Sequence, residues 1–360
     1  MKAKSPKEEG RRSPGGPRFY LPSGYLNFGK IMSIPVPFVF VYGPRGVGKT
    51  YGALQFVKEQ GIKFMYSRRQ QVDLDMIQKP DTFPFKKLNS TRNWTVTIKP
   101  LNKYMSAFYD GEDIDGRILP SGPPIGYASA LSTIANVRGM DCSDVDVWIY
   151  DEFIPEAHAR PIREEGAAFL NAYETFNRNR ELEGDKPMKV ICLANSNRLA
   201  NPIFMELGLV TVAERMKRKG LSYYCDEKRG IALLDTYDSP ISAQKEETAL
   251  YRLANQDSVF YRMAIENRFA DLDETEQTSR NLKEYTPVFI IGELCIYKHK
   301  TRRVYYVTDH KSGSPPSFLP SEMDVHRCLN KFPWVLHAYM ENKIEFESYL
   351  CEALFNKYFY

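Results

Sequence analysis

The sequence is poor in features that would tie it to several common classes. Its 360 residues include six cysteines, at positions 142, 192, 225, 295, 328 and 351, with no C-x-x-C pair among them. That scatter points to a reducing compartment and argues against a zinc site or a disulfide framework. The five histidines show no ligand spacing. Long apolar runs are also missing: near the amino terminus the longest, Ile31–Tyr42, is short and carries Pro35 and Pro37. The expectation is therefore a cytoplasmic protein with no transmembrane helix, no signal peptide and no membrane partner. A net charge of only +4 excludes a polycation. No internal repeat is found.

What is present suits a sizeable core, with 43% hydrophobic and 26% charged residues. The length suggests two domains, or one large domain with an appendage. Aromatics make up 13%, which serves either cores or stacking surfaces. The basic residues cluster: six in the first eighteen positions, then Arg215, Lys217, Arg218 and Lys219 with Lys228 and Arg229, then Lys298, Lys300, Arg302 and Arg303. Such clusters can touch phosphate backbones or can be solvated faces.

Residues 1–18, rich in Lys, Arg, Pro and Gly, are expected to form a disordered basic arm. An α/β pattern follows. Phe38–Tyr42 reads as a buried parallel strand, Thr50–Gln60 as a helix ended by Gly61, and Lys63–Tyr66, Val145–Tyr150 and Lys189–Ala194 as further strands of a mostly parallel sheet. Between residues 86 and 127, Trp94–Ile98, Ala107–Asp110 and Arg117–Leu119 look hairpin-like, with Asp110-Gly111 and Asp115-Gly116 as turn signals. Ala243–Asp273 is helix-prone and charged. Pro287–Tyr297 and Val304–Asp309 form a strand–turn–strand pattern, and Glu341–Phe355 reads as helix. The expected division is 19–240, 241–280 as a helical linker, and 281–360 as a smaller α+β domain.

The chemistry is carried by Gly43-Pro44-Arg45-Gly46-Val47-Gly48-Lys49-Thr50, which fits G-x-x-x-x-G-K-[ST] at every fixed position. Glycines let backbone N–H groups wrap a phosphate, and the following helix points its positive end at the same place. Lys49 is assigned to the β- and γ-phosphates of ATP and Thr50 to Mg2+. The apolar run Val145–Tyr150 ends in Asp151 and Glu152, 102 positions beyond Lys49 for Asp151. Asp151 is expected to hold the magnesium and Glu152 to polarise the attacking water. At the end of Lys189–Ala194, Asn195 or Ser196 could sense the γ-phosphate, although both residue types also favour ordinary turns. Arg178 and Arg180, after the helical stretch Ala167–Asn177, are candidates to complete a neighbouring subunit's site, with Arg45, Arg68 and Arg69 as rivals.

Gly43–Thr50, Tyr66-Ser67-Arg68-Arg69, Ile149–Ile154, Arg178–Glu181, Ile191–Asn195 and Asn201-Pro202 together resemble the DNA-packaging ATPases of phi29-like bacteriophages, from about residue 36 to 210. The resemblance implies an additional-strand, catalytic-glutamate P-loop NTPase domain, a helical linker, and a C-terminal domain like a degenerate RNase H-type nuclease. It also implies a homopentameric ring on the portal of a preformed capsid that pumps double-stranded DNA without reading its sequence, and in one branch a scaffold RNA. By position Arg178 matches the family's trans-acting finger, Arg180 an accessory, and Arg68 and Arg69 a basic pair near the nucleotide; Gln71 replaces a basic residue. The protein would work in the host cytoplasm, attached transiently to the procapsid. Glu293, Asp309 and Asp324 show no spacing that marks a two-metal site, so no nuclease activity is expected. Another translocase or helicase, a nucleotide-gated adaptor and, less well supported, a small-molecule kinase are the alternatives; the Asp-Glu pair disfavours the kinase.

Overall fold

The computed structural model describes residues 19–115, 117–137, 139, 142–155, 160–195, 199–241, 279–341 and 343–359. The expected basic arm and the whole helix-prone Ala243–Asp273 stretch lie outside the described residues. The chain folds as two compact units, Met1–Asn197 with Arg215–Phe269 and Arg198–Glu214 with Ala270–Tyr360. Among the described residues no helix is long and apolar enough to cross a membrane.

In chain order the elements up to residue 241 are α1 (Phe28–Met32), β1 (Phe38–Tyr42), α2 (Lys49–Glu59), β2 (Phe64–Arg68), α3 (Gln71–Ile77), α4 (Lys86–Arg92), β3 (Thr97–Pro100), β4 (Met105–Ile114), β5 (Arg117–Ala130), β6 (Val147–Asp151), α5 (Glu165–Asn177), β7 (Lys189–Ala194), α6 (Pro202–Glu206), α7 (Val210–Lys219), β8 (Tyr223–Asp226) and β9 (Ile231–Asp235). They build a nine-stranded sheet in the order β3-β4-β5-β2-β6-β7-β1-β9-β8. The run from β5 to β9 is parallel throughout, and β3, β4 and β8 join it antiparallel. Continuous apolar strands such as Phe38–Tyr42 need cover on both faces, because successive side chains alternate. Phe28 and Ile31 of α1 and Leu54 and Val57 of α2 share one core with Val39, Val41, Ile149, Ile191 and Leu193. On the other face Phe169 of α5 stacks on Trp148 with ring centroids 5.1 Å apart, and Phe176 meets the same indole edge-on at 5.2 Å. Each fully buried ring of this kind contributes roughly 1.5–3 kcal/mol.

One sequence expectation about the edge strands is corrected. Asp110-Gly111 is not a turn: both residues lie inside β4, where the pairing with β5 slips between Phe108 and Asp110. Gly111 answers a close approach instead, since a Cβ there would stand 2.6 Å from the Thr95 carbonyl oxygen. The β4–β5 hairpin reverses between Ile114 and Arg117, and β3 pairs antiparallel with β4 in a second hairpin ahead of it.

The later elements are β10 (Tyr285–Ile291), β11 (Leu294–His299), β12 (Tyr305–Thr308), β13 (Ser317–Phe318), α8 (Glu322–Lys331), α9 (Trp334–Met340), β14 (Ile344–Phe346) and α10 (Tyr349–Phe359). Their sheet has the order β13-β10-β11-β12-β14, with β13 and β14 added in parallel to an antiparallel meander. Phe289, Ile296, Val307, Phe346 and Phe355 meet in its core. Pro287–Tyr297, expected as one strand, is a hairpin turning at Gly292-Glu293. Glu341–Phe355, expected as one helix, contains β14 before α10 begins, because the alternating Ile344 and Phe346 are drawn into the sheet edge.

Candidate active site

Register places the carboxyl ends of the parallel strands side by side: Tyr42 of β1 lies opposite Ala194 of β7 and Asp235 of β9, and Asp151 of β6 lies opposite Leu193. The strand β7 separates β1 from β6. From that edge β1 runs into the loop Gly43–Thr50, and α2 begins at Lys49. Gly48 caps α2 in a left-handed conformation (φ 87°) with no side-chain cap, so the helix's first N–H groups are left for a ligand anion. Gly43 is fixed by crowding, since a Cβ would stand 2.4 Å from Thr236 Oγ1. Thr236, just past β9, donates from its N–H (2.9 Å) and Oγ1 (3.1 Å) to the Tyr42 carbonyl oxygen and so buttresses the loop. Pro44 and Val47 are buried, whereas Arg45 and Gly46 are exposed. Lys49 is buried, and its Nζ donates to the carbonyl oxygens of Gly43 (3.1 Å) and Pro44 (2.6 Å).

Asp151 is 4% exposed and collects three donors: Thr50 Oγ1 at 3.0 Å and Tyr66 Oη at 2.8 Å on Oδ2, and the Glu152 N–H at 3.1 Å on Oδ1. Glu152 holds a left-handed backbone (φ 57°), a strained state for a non-glycine residue and one that clusters at functional sites. Its carboxylate is ion-paired with Arg68 Nη2, while Arg68 Nη1 lies 3.9 Å from Asp151 Oδ2. Burial would lower the Arg68 pKa, but Tyr66, Asp151 and Glu152 beside it push it up. Burial, then Asp151, raises the Tyr66 hydroxyl well above its ordinary value.

The structure thus brings Gly43–Thr50, Asp151, Glu152 and Arg68 together. Asn195 follows β7 at the same edge and is half-buried; Ser196 lies outside the described residues. Arg69 departs from the expected basic pair. It turns away from Arg68 and binds Glu165 through Nε (2.6 Å) and Nη2 (2.8 Å), both residues being buried. Arg178 and Arg180 stand at the opposite end of the sheet. Arg180 donates to the carbonyl oxygens of Ser143 and, at 2.6 Å, Val145, and lies 3.7 Å from Asp146, all at the amino end of β6. Five residues of strand at ~3.3 Å each separate Asp146 from Asp151 by roughly 17 Å. Arg178 lines the same cavity as Ser143 and Arg180. Arg178 is exposed, with φ 50° and ψ −136°.

Sequence reading missed Tyr66 and Asp235. Tyr66 was legible from alternation, since it shares a strand face with Arg68. Asp235 ends the apolar run Ile231–Leu234, an overlooked strand. Burial pushes its carboxyl up to about 7, against the Tyr237 N–H (3.1 Å), Lys217 and Lys49, which favour the ionised form.

The donors suit the expected groups. Thr50 and Asp151 offer hard oxygens 3.0 Å apart, which is magnesium chemistry, and the loop amides with Lys49 suit a polyphosphate. In the later unit Asp324 sits in the first turn of α8, accepting from the Leu319 N–H (3.0 Å) and Arg327 (2.9 Å), and Asp309 instead clusters with His310 and Glu347 at the surface.

Residues 19–312 match the family model described as podovirus DNA encapsidation protein (Gp16). The DNA packaging proteins of Bacillus phages phi29 and PZA are each 27% identical over 263 residues, a stretch covering 70% of this chain and 66% of theirs. A solved structure of the bacteriophage Phi-29 viral genome packaging motor assembly shares the fold, with a TM-score of 0.59 at 17% identity, covering 93% of this chain and 99% of that one.

Proposed function

Because the chain belongs to the podovirus DNA encapsidation protein (Gp16) family, we propose that it is the ATP-driven motor that moves double-stranded viral DNA into a preformed capsid. The observation that carries the ATPase reading is the convergence of Lys49, Thr50, Asp151 and Glu152 from two non-adjacent strands. The strand lying between β1 and β6, with the glutamate directly after the acidic strand, supports the additional-strand, catalytic-glutamate class. The meander of the later unit supports a degenerate RNase H-like domain at about 281–360, following an ATPase domain at 19–240 and a linker at 241–280.

In this reading Lys49 exchanges the Gly43 and Pro44 carbonyl oxygens for the β- and γ-phosphates of ATP. Mg2+ bound by Thr50 and Asp151 would supply neutralisation of the charge on those phosphates. Tyr66 fixes the orientation of Asp151, and Glu152 takes the proton of the attacking water once Arg68 yields it. Arg178, at the far end of α5 from its own nucleotide site, is presented to the neighbour's, and Arg180 anchors that end of the chain to β6. Asn195 reports the γ-phosphate. The working form is a homopentameric ring on the capsid portal in the host cytoplasm, assisted in some relatives by a scaffold RNA and gripping DNA phosphates without base readout.

The test is ATP turnover with and without linear double-stranded DNA for wild type and Glu152→Gln. Wild type should turn over and respond to DNA, and Glu152→Gln should lose about 100-fold or more while still binding ATP. Wild type that binds ATP but shows no turnover with or without DNA would sink the motor reading. Nicking of linear DNA with magnesium or manganese would refute the absence of nuclease activity.

A further inference from the structure

Arg68 and Arg69 are consecutive, yet they serve opposite faces of the sheet. Arg68 and Tyr66 reach the site carboxylates, as alternation along β2 requires, while Arg69 reaches Glu165, the first residue of α5. That helix covers the Trp148 and Tyr150 face of the acidic strand, and its other end leads directly into Arg178. We propose that the buried Arg69–Glu165 pair is a positioning element, which ties α5 to the strand that senses Glu152 and thereby sets where Arg178 is presented. The proposal rests on the reading of Arg178 as a residue supplied to a neighbouring subunit.

Three observations support it. The pair is bidentate and buried, so it fixes both distance and orientation in a way that an apolar contact of equal stability would not. Both ends of α5 are flanked by non-glycine residues in the left-handed region, Glu164 (φ 50°) and Arg178 (φ 50°), so the helix is held between strained junctions rather than trailing into relaxed loops. The helix is also long enough, 13 residues or about 20 Å at 1.5 Å per residue, to carry a change at the nucleotide edge to the opposite end of the sheet. When Arg68 shifts as Glu152 is released, the backbone shared with Arg69 moves with it, and Glu165 follows.

The test uses full-length Arg69→Met/Glu165→Leu, which removes both charges at similar volume, and Glu165→Gln, which keeps the shape. The expected result for both is unchanged ATP binding, a fall of about tenfold in kcat for ring ATPase and little change in KM; the thermal midpoint should hold in the double variant and fall in Glu165→Gln, which leaves the Arg69 guanidinium buried without its charge partner. Mixed rings locate the defect: Arg69→Met/Glu165→Leu subunits combined with Lys49→Ala subunits should regain partial activity, because a variant site beside a Lys49→Ala subunit receives a correctly placed Arg178 from it. Wild-type kcat in both variants would overturn the proposal, as would loss of the fold in both. Absence of rescue would also overturn it, provided that Arg178→Ala mixed with Lys49→Ala does rescue. If that control mixture fails as well, the trans-acting reading of Arg178 is what falls.

Discussion

Replacing Arg69 with alanine isolates the energetics of the same ion pair. Arg69 and Glu165 are 5% and 2% exposed and joined by hydrogen bonds of 2.6 and 2.8 Å. Arg69→Ala leaves the Glu165 carboxylate buried beside Tyr150, whose hydroxyl is itself buried with no hydrogen-bond partner. Leaving one ion of such a pair uncompensated costs about 3–5 kcal/mol. In a folding unit of 150–250 residues, each kcal/mol lowers the midpoint by roughly 2–4 °C, so a fall of about 6–20 °C is expected in one calorimetric transition. The comparison is Lys86→Ala: its partner Asp81 is 95% exposed, and solvent screens a surface pair of that kind so that its loss barely moves the midpoint. Scanning calorimetry of both variants at pH 7 and at two scan rates provides the measurement, read transition by transition because the chain has two compact units. A shift for Arg69→Ala no larger than that for Lys86→Ala would refute the reasoning, since burial would then not decide the pair's worth.

Three further outcomes are expected. Gly43→Ala forces a methyl group to 2.4 Å from Thr236 Oγ1, so ATP affinity measured by calorimetric titration should fall at least tenfold, and an unchanged affinity would contradict the crowding argument. Asp151→Asn should remove most of the gain in nucleotide affinity that magnesium confers while leaving magnesium-free binding near wild type; equal loss in both conditions would point to a folding defect instead. The Asp235 carboxyl is raised to about 7, so its ionised form is disfavoured in the folded protein. The sign follows: the resulting instability is largest above pH 7 and disappears as pH falls through 7 toward 4. Asp235→Asn should therefore raise the midpoint at pH 8 and have little effect at pH 4, and a uniform shift at both values would dismiss the titration.

Local chemistry made much of the site readable in advance. Gly43–Thr50 could be placed because a phosphate cradle needs glycines, a strand before it and a helix after it, all of which are sequential. Asp151 and Glu152 were readable because a buried parallel strand announces itself as an apolar run and its polar end must lie at the sheet edge. The hairpin from Ile114 to Arg117 was found by its turn chemistry, but Asp110-Gly111 carried the same signal for another reason, close approach to Thr95. Ile344–Phe346 was absorbed into a helix because three residues are too few for a period to show.

By itself the sequence determined which residues could bind a triphosphate and polarise water, since those demands are met by neighbours along the chain. Tertiary structure decided the partners. Register across β2, β6 and β7 set Arg68 against Glu152 and Tyr66 against Asp151, and alternation sent Arg69 to the other face, onto Glu165. The course of α5 back along the sheet carried Arg178 away from its own nucleotide edge. Such pairings join residues about 80 to 100 positions apart, and only the packing of strands and helices into one sheet selects among them.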